Sequence, residues 1–136
     1  MTARVSGESK RSGEVRAGGK FPRSARLLRH ADFERVYKQG RRHFSASMTV
    51  FYWRRPAGET PGLRVGFTVG RALGGAVVRN RMKRRLREAV RLTRPVPGPD
   101  ADVVINPKKS LLAAEFEAVL NEVKRAFVVI EEKARA

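Results

Sequence analysis

The order of apolar patterns along the chain is helix, strands, helix, strand, helix, and it predicts an α–β sandwich on one sheet, α/β or α+β. Two observations carry that expectation. Apolar residues recur at helical spacing in three segments and alternate or cluster as strands in the stretches between them. Gly- and Pro-rich breaks separate these segments at Arg54–Gly62, Gly70–Gly75 and Pro95–Pro99. The length of 136 residues, 41% hydrophobic and 32% charged, suits one domain with a core of its own.

Residues 1–20 hold Gly, Ser and charges with almost no large apolar side chain. They read as a disordered basic tail, and residues 21–136 as one folded domain. From Ala31 to Gln39, Phe33, Val36 and Tyr37 fall on one stripe of a short helix, with Leu28 one turn before. Asp32 and Glu34 favour its start, and Gly40 suits its end. Arg41–Trp53 is rich in β-branched and aromatic residues and predicts one long strand or two short ones. Thr49, Phe51 and Trp53 share one face, and Met48, Val50 and Tyr52 the other. In Leu63–Val69, alternation sends Leu63, Val65, Phe67 and Val69 to the core side.

A helix is expected over about Ala76–Thr93, closed by Pro95, Pro97 and Pro99. Ala101–Ile105 reads as a short buried strand ended by Asn106-Pro107. Ser110 is the expected N-cap of a last helix. Its inward stripe is Leu112, Phe116, Val119, Leu120, Val123, Phe127 and Ile130.

Charge narrows the function. Thirty Lys and Arg against thirteen Asp and Glu leave +17, which points to a polyanionic partner, nucleic acid before a membrane surface. The excess is uneven: residues 76–94 carry eight cations and one carboxylate, whereas residues 95–136 carry six cations and seven carboxylates. The partner surface therefore lies before the C-terminal third. With no cysteine, disulfides, thiolate nucleophiles and sulfur-ligated zinc are excluded. No apolar run approaches the ~20 residues of a membrane span, so a cytoplasmic protein is expected.

The densest signal is Arg79-Asn80-Arg81-Met82-Lys83-Arg84-Arg85-Leu86-Arg87, with six cations in nine residues. On a helix, Val78, Met82, Leu86 and Ala89 share one arc. Asn80, Lys83, Arg84, Arg87 and Arg91 take the opposite arc, and Arg79, Arg81 and Arg85 flank the apolar stripe. Such a helix can pack by one edge and still present guanidinium groups to phosphates. Asn80 fits either a local backbone cap or an RNA contact. No helix-turn-helix spacing, zipper or zinc-ligand set supports a DNA reader. His30 and His43 sit in basic surroundings, and no carboxylate pair shows acid/base or two-metal logic. A structural RNA-binding protein, such as a ribosomal protein, fits the composition equally well.

The segments FPRSARLL, DFERVYKQGRR, LRVGFTVGR, GGAVVRNRMKRRLREAVR and ADVVINP, in that order over Phe21–Phe127, make the chain resemble the bacterial ribonuclease P protein subunit. The resemblance implies an α+β fold with one mixed sheet of about four strands and three helices, its basic helix crossing between parallel strands. It implies one protein copy per complex with a catalytic RNA that cuts the 5′ leader from precursor tRNA, with no membrane partner. Catalysis would belong to that RNA, which would also hold most of the Mg2+. The matching helix surface, Arg79 to Arg91 around the Arg79-Asn80-Arg81 triplet, would meet the catalytic RNA. The cleft between the first helix and the sheet would take the leader at Phe33, Tyr37 and Phe51, with Arg41 and Arg42 beside them. Tyr37 stands where the family often has Phe, which keeps a stacking face.

Overall fold

The computed structural model describes residues 20–135, with side chains to Ala134. The expected tail, residues 1–20, lies outside the described residues except for Lys20. The order is α1 (His30–Gln39), β1 (Arg41–Phe44), β2 (Met48–Arg54), β3 (Arg64–Phe67), α2 (Ala76–Thr93), β4 (Ala101–Pro107) and α3 (Phe116–Arg135). The strands form one mixed sheet in the order β1-β2-β4-β3. β1–β2 and β2–β4 are antiparallel and β3–β4 is parallel, so α2 is the crossover between parallel strands. No described helix is long and apolar enough to cross a membrane.

The two faces of the sheet bury different sets. Met48, Val50 and Tyr52 of β2, Val65 of β3 and Val103 and Ile105 of β4 meet Met82, Leu86, Ala89 and Val90 of α2 and Val119, Val123, Phe127 and Ile130 of α3. On the other face Val104 packs with Leu27 and Val36, flanked by half-buried Phe33, Phe51 and Trp53. The alternation in Met48–Trp53 therefore divides two cores, one under α2 and α3 and one under α1.

Arg41–Trp53 resolves into two strands around the turn Ser45–Ser47. Glu122 of α3 holds that turn, accepting from Ser45 Oγ (2.8 Å), Ser47 N (2.9 Å) and Ser47 Oγ (2.8 Å).

Three expectations change. Ser110 does not cap the last helix. The chain first makes a 3-10 turn, Lys109–Leu111, that buries Leu111 completely, and α3 starts only at Phe116. Ser110 Oγ instead donates to Ala46 O at 3.4 Å, and Leu112 of the expected stripe lies before the helix. Leu28 does not extend the α1 stripe: it is exposed, and Leu27 is buried instead. The segment before α1 is extended, and Leu27 N donates to Val65 O at 2.9 Å, so helical spacing does not reach back that far. Gly40 does end α1, but in an extended conformation (φ −84°, ψ 178°). A Cβ there would lie 2.5 Å from the carbonyl oxygens of Val36 and Tyr52. The requirement is room for the helix end against β2, not a left-handed turn.

At the end of β4 an ion network crosses the sheet. Asp102 is fully buried. Its Oδ1 accepts from Arg55 Nη1 (2.6 Å) and Arg64 Nε (2.8 Å), and its Oδ2 from Arg64 Nη2 (2.8 Å). Arg55, itself 3% exposed, also donates to the carbonyls of Thr60 and Gly62, which closes the β2–β3 loop. Hydrogen bonding to Asp102 holds the Arg64 guanidinium above its ordinary range. Truncating one partner of a buried pair strands the others without compensation. Asp102→Ala is expected to lower stability by about 3–5 kcal/mol, measured by urea unfolding, with the β2–β3 loop gaining protease sensitivity.

Candidate nucleic-acid interface

Helix α2 forms over the expected residues, and its environment sorts its cations into two groups. Met82, Leu86, Ala89 and Val90 are buried and Val78 is half-buried. Arg79 Nε donates to Gly74 O (3.1 Å), tying the first turn to the loop before it. Arg85 Nη1 donates to Leu111 O (2.6 Å) and Ala114 O (2.8 Å), and its guanidinium stands 5.9 Å from the Phe116 ring centre. Arg91 pairs with Glu88, Nε to Oε1 at 3.1 Å. Hydrogen bonding within this pair holds the Glu88 carboxyl below its usual range and the Arg91 guanidinium above its own.

The other members are available. Asn80, Arg81, Arg84 and Arg87 are exposed and Lys83 is half-buried. None of the five makes a side-chain hydrogen bond or ion pair among the described residues. Asn80 therefore caps no backbone group there. Arg81, expected beside the packed stripe, lies in solvent.

The segment before α1 adds to this surface. Lys20, Arg23 and Arg26 face Arg84, Arg87 and Arg91 across a groove of about 630 Å³. Arg26 is fixed there by donating to Phe21 O through Nε (3.2 Å) and Nη2 (2.9 Å). Glu88 also lines the groove and engages Arg91, so the cation excess there comes from Lys20, Arg23, Arg26, Arg84 and Arg87, an arrangement that concentrates positive potential where a phosphodiester backbone can enter.

On the opposite face of the sheet, helix α1 roofs part of an aromatic cleft. The register pairs Arg42 with Phe51 and Phe44 with Thr49, and directly paired residues share a face. Tyr37 meets Phe51 edge-on, with ring centres 4.9 Å apart and planes at 83°. The Arg42 guanidinium lies 5.4 Å from the Phe51 ring centre. The Tyr37 hydroxyl donates to Asn106 Oδ1 (3.0 Å) and lies 2.7 Å from Thr68 Oγ1. Phe33 sits deeper, half-buried beside Leu27. A Cβ on Gly66 would come within 2.5 Å of the Phe33 ring, so glycine on β3 is what lets this helix approach.

Phe33, Tyr37, Phe51 and Arg42 are thus brought together. Arg41 is not: it pairs with Tyr52 and lies on the α2–α3 side of the sheet. Sequence reasoning missed the polar rim of Thr68 and Asn106, since Asn106 reads simply as a strand terminator before proline. Arg35 over Trp53, 5.3 Å from its ring centre, was equally out of reach. It depends on how α1 crosses β2.

A basic helix surface on one side of a sheet and an aromatic cleft with a cation on the other make an α–β sandwich with the two kinds of surface that suit nucleic acid. The family follows from comparison. The ribonuclease P family profile matches residues 21–131. The ribonuclease P protein component of Ruegeria pomeroyi is 43% identical over 102 residues, 74% of this chain and 81% of that protein. That of Dictyoglomus thermophilum is 35% identical over 118 residues, 85% and 92% of the two chains. The ribonuclease P protein of Thermotoga maritima superposes with a TM-score of 0.65 at 26% identity, over 75% of this chain and 94% of that one. The chain belongs to the ribonuclease P protein family.

The sorting of α2 cations predicts separable phenotypes. Arg85→Ala exposes two carbonyl acceptors and is expected to cost about 1–2 kcal/mol of stability, read by thermal or urea unfolding. Arg84→Ala/Arg87→Ala removes no internal partner among the described residues and is expected to unfold within about 0.5 kcal/mol of the parent.

Proposed function

We propose that this chain acts as the protein component of ribonuclease P in tRNA processing. It binds the catalytic RNA with α2 and the basic groove beside it, and the 5′ leader of precursor tRNA with the cleft under α1. The observation that carries this reading is the pairing, in one small domain, of exposed cations on one sheet face with Phe51, Tyr37 and Arg42 on the other. A protein that only scaffolds folded RNA needs the first surface but not the second.

On this reading the chemistry is phosphodiester hydrolysis carried out by the RNA. The chain's own residues hold and orient. Arg81, Arg84 and Arg87 neutralise phosphates and release their counterions. Phe51 and Tyr37 offer aromatic surface to leader bases, and Arg42 faces the backbone between them. Holding the leader in register with the cleavage site lowers the entropy cost of the step.

We assign no resident metal to the side chains of this protein. Among the described residues no three His, Asp or Glu side chains gather. Several carboxylates are already engaged: Asp102 with Arg55 and Arg64, Glu88 with Arg91, and Glu122 with the Ser45–Ser47 turn. We assign the Mg2+ of the complex to the RNA.

Precursor-tRNA cleavage at low magnesium tests the whole reading. Nuclease-free protein alone is expected to leave the substrate intact, while protein added to a bacterial ribonuclease P RNA raises cleavage. Reproducible 5′ processing by the protein alone would overturn the division of labour.

Arg84→Ala/Arg87→Ala is expected to weaken assembly with the RNA at physiological salt. The log–log salt slope should become shallower by somewhat under one unit for each phosphate no longer neutralised, with cleavage near normal once protein is in excess. Unchanged affinity and slope in a folded variant would reduce this face to solvated charge. Phe51→Ala is expected to weaken binding of leader-bearing precursor by roughly 1–3 kcal/mol and to leave mature tRNA unaffected, as measured by equilibrium binding.

A further inference from the structure

Phe44, on edge strand β1, is 64% exposed and belongs to neither core. Its partner across the ladder is Thr49, and Arg42, two residues earlier on the same strand, pairs with Phe51. Phe44 therefore stands on the cleft face, one row of about 6.8 Å beyond Phe51, on the edge strand, where its ring is open to solvent. An uncovered aromatic on an edge strand is an aggregation hazard that folds normally avoid.

The turn that follows Phe44 is fixed from several directions. Glu122 holds Ser45 and Ser47. Lys108 N donates to Ser47 O (2.9 Å) and Lys108 Nζ to Ser45 O (3.0 Å). The ring is thus carried by a pinned backbone, with Arg42 two residues earlier on the same face of β1. An exposed aromatic face with a cation on the same face of its strand matches a nucleobase and an adjoining phosphate. A second copy of this chain fits poorly, because each carries a formal charge of +17 and two such chains repel one another.

We propose that Phe44 is a further nucleobase platform of the cleft, stacking a base of the single-stranded leader beyond those at Phe51 and Tyr37. The proposal rests on the leader reading of the cleft and extends it by one subsite. Phe44 is a specificity residue for how much leader is gripped. It takes no part in the chemical step.

The test is equilibrium binding by the holoenzyme, the protein with a bacterial ribonuclease P RNA. The substrates are precursor tRNAs with leaders graded from one to about ten nucleotides, a range matched to single-strand site sizes, with mature tRNA as reference. Phe44→Ala is expected to weaken binding roughly tenfold, but only above a threshold leader length that differs from the threshold for Phe51→Ala. Phe44→Trp is expected to restore affinity. Wild-type affinity of Phe44→Ala at every length, with Phe51→Ala still impaired, overturns the subsite and leaves the leader cleft standing. If neither variant responds to leader length, both readings fall. Equal loss for precursor and mature tRNA, or loss of self-association in sedimentation with leader binding unchanged, also overturns the subsite. Thermal melting checks that the variants remain folded, which the exposure of Phe44 favours.

Discussion

A single buried carboxylate organises one end of the sheet. Asp102 is on β4, the strand between β2 and β3, and its two oxygens take three N–H donors from Arg55 and Arg64. Burying one negative charge is costly; here guanidinium groups from β3 and from the residue after β2 offset that cost. The consequences run outward. Arg55 gathers the carbonyls of Thr60 and Gly62, so hydrogen bonds close the β2–β3 loop. Arg64 also reaches toward Asp32 of α1 at 3.9 Å, a longer and weaker link between the sheet and that helix. In a chain with a large cation excess, this is where Arg serves the fold and not the partner.

The same division between internal and external cations runs along α2. Its charge looks uniform in one dimension. In three dimensions Arg79, Arg85 and Arg91 satisfy neighbouring acceptors, while Arg81, Arg84 and Arg87 remain exposed. Like charges this close repel one another, and the internal acceptors relieve part of that repulsion. What remains on the outer face, together with Lys20, Arg23 and Arg26 across the groove, is positive potential that an RNA backbone can neutralise. The cleft depends on space instead of charge. Gly66 and Gly40 leave room for Phe33 and for the end of α1, and that close approach brings Tyr37 onto Phe51.

Much of this was legible in the residues. Period-two alternation in Met48–Trp53 and Leu63–Val69, and the helical stripes through Val36 and through Met82 and Leu86, reflect burial on one side of an element, which local sequence records directly. The Pro-rich closure of α2 and the ordered segments shared with ribonuclease P proteins likewise need no structure. Boundaries set by distant partners were less accessible. Leu111 is buried and its carbonyl is taken by Arg85, 26 residues earlier. That long-range pairing holds the turn before α3, within which Ser110 lies, six residues ahead of the helix start.

The number and kind of elements, the basic helix, the aromatic candidates and the family all follow from periodicity, composition and ordered motifs, which are properties of the chain alone. Three-dimensional packing was needed to separate engaged cations from exposed ones, to put Arg42 and not Arg41 beside Phe51, and to leave Phe44 uncovered next to a pinned turn. Each of those depends on strand register and on contacts between residues far apart in the chain, where a shift of one position moves a side chain to the opposite face of the sheet.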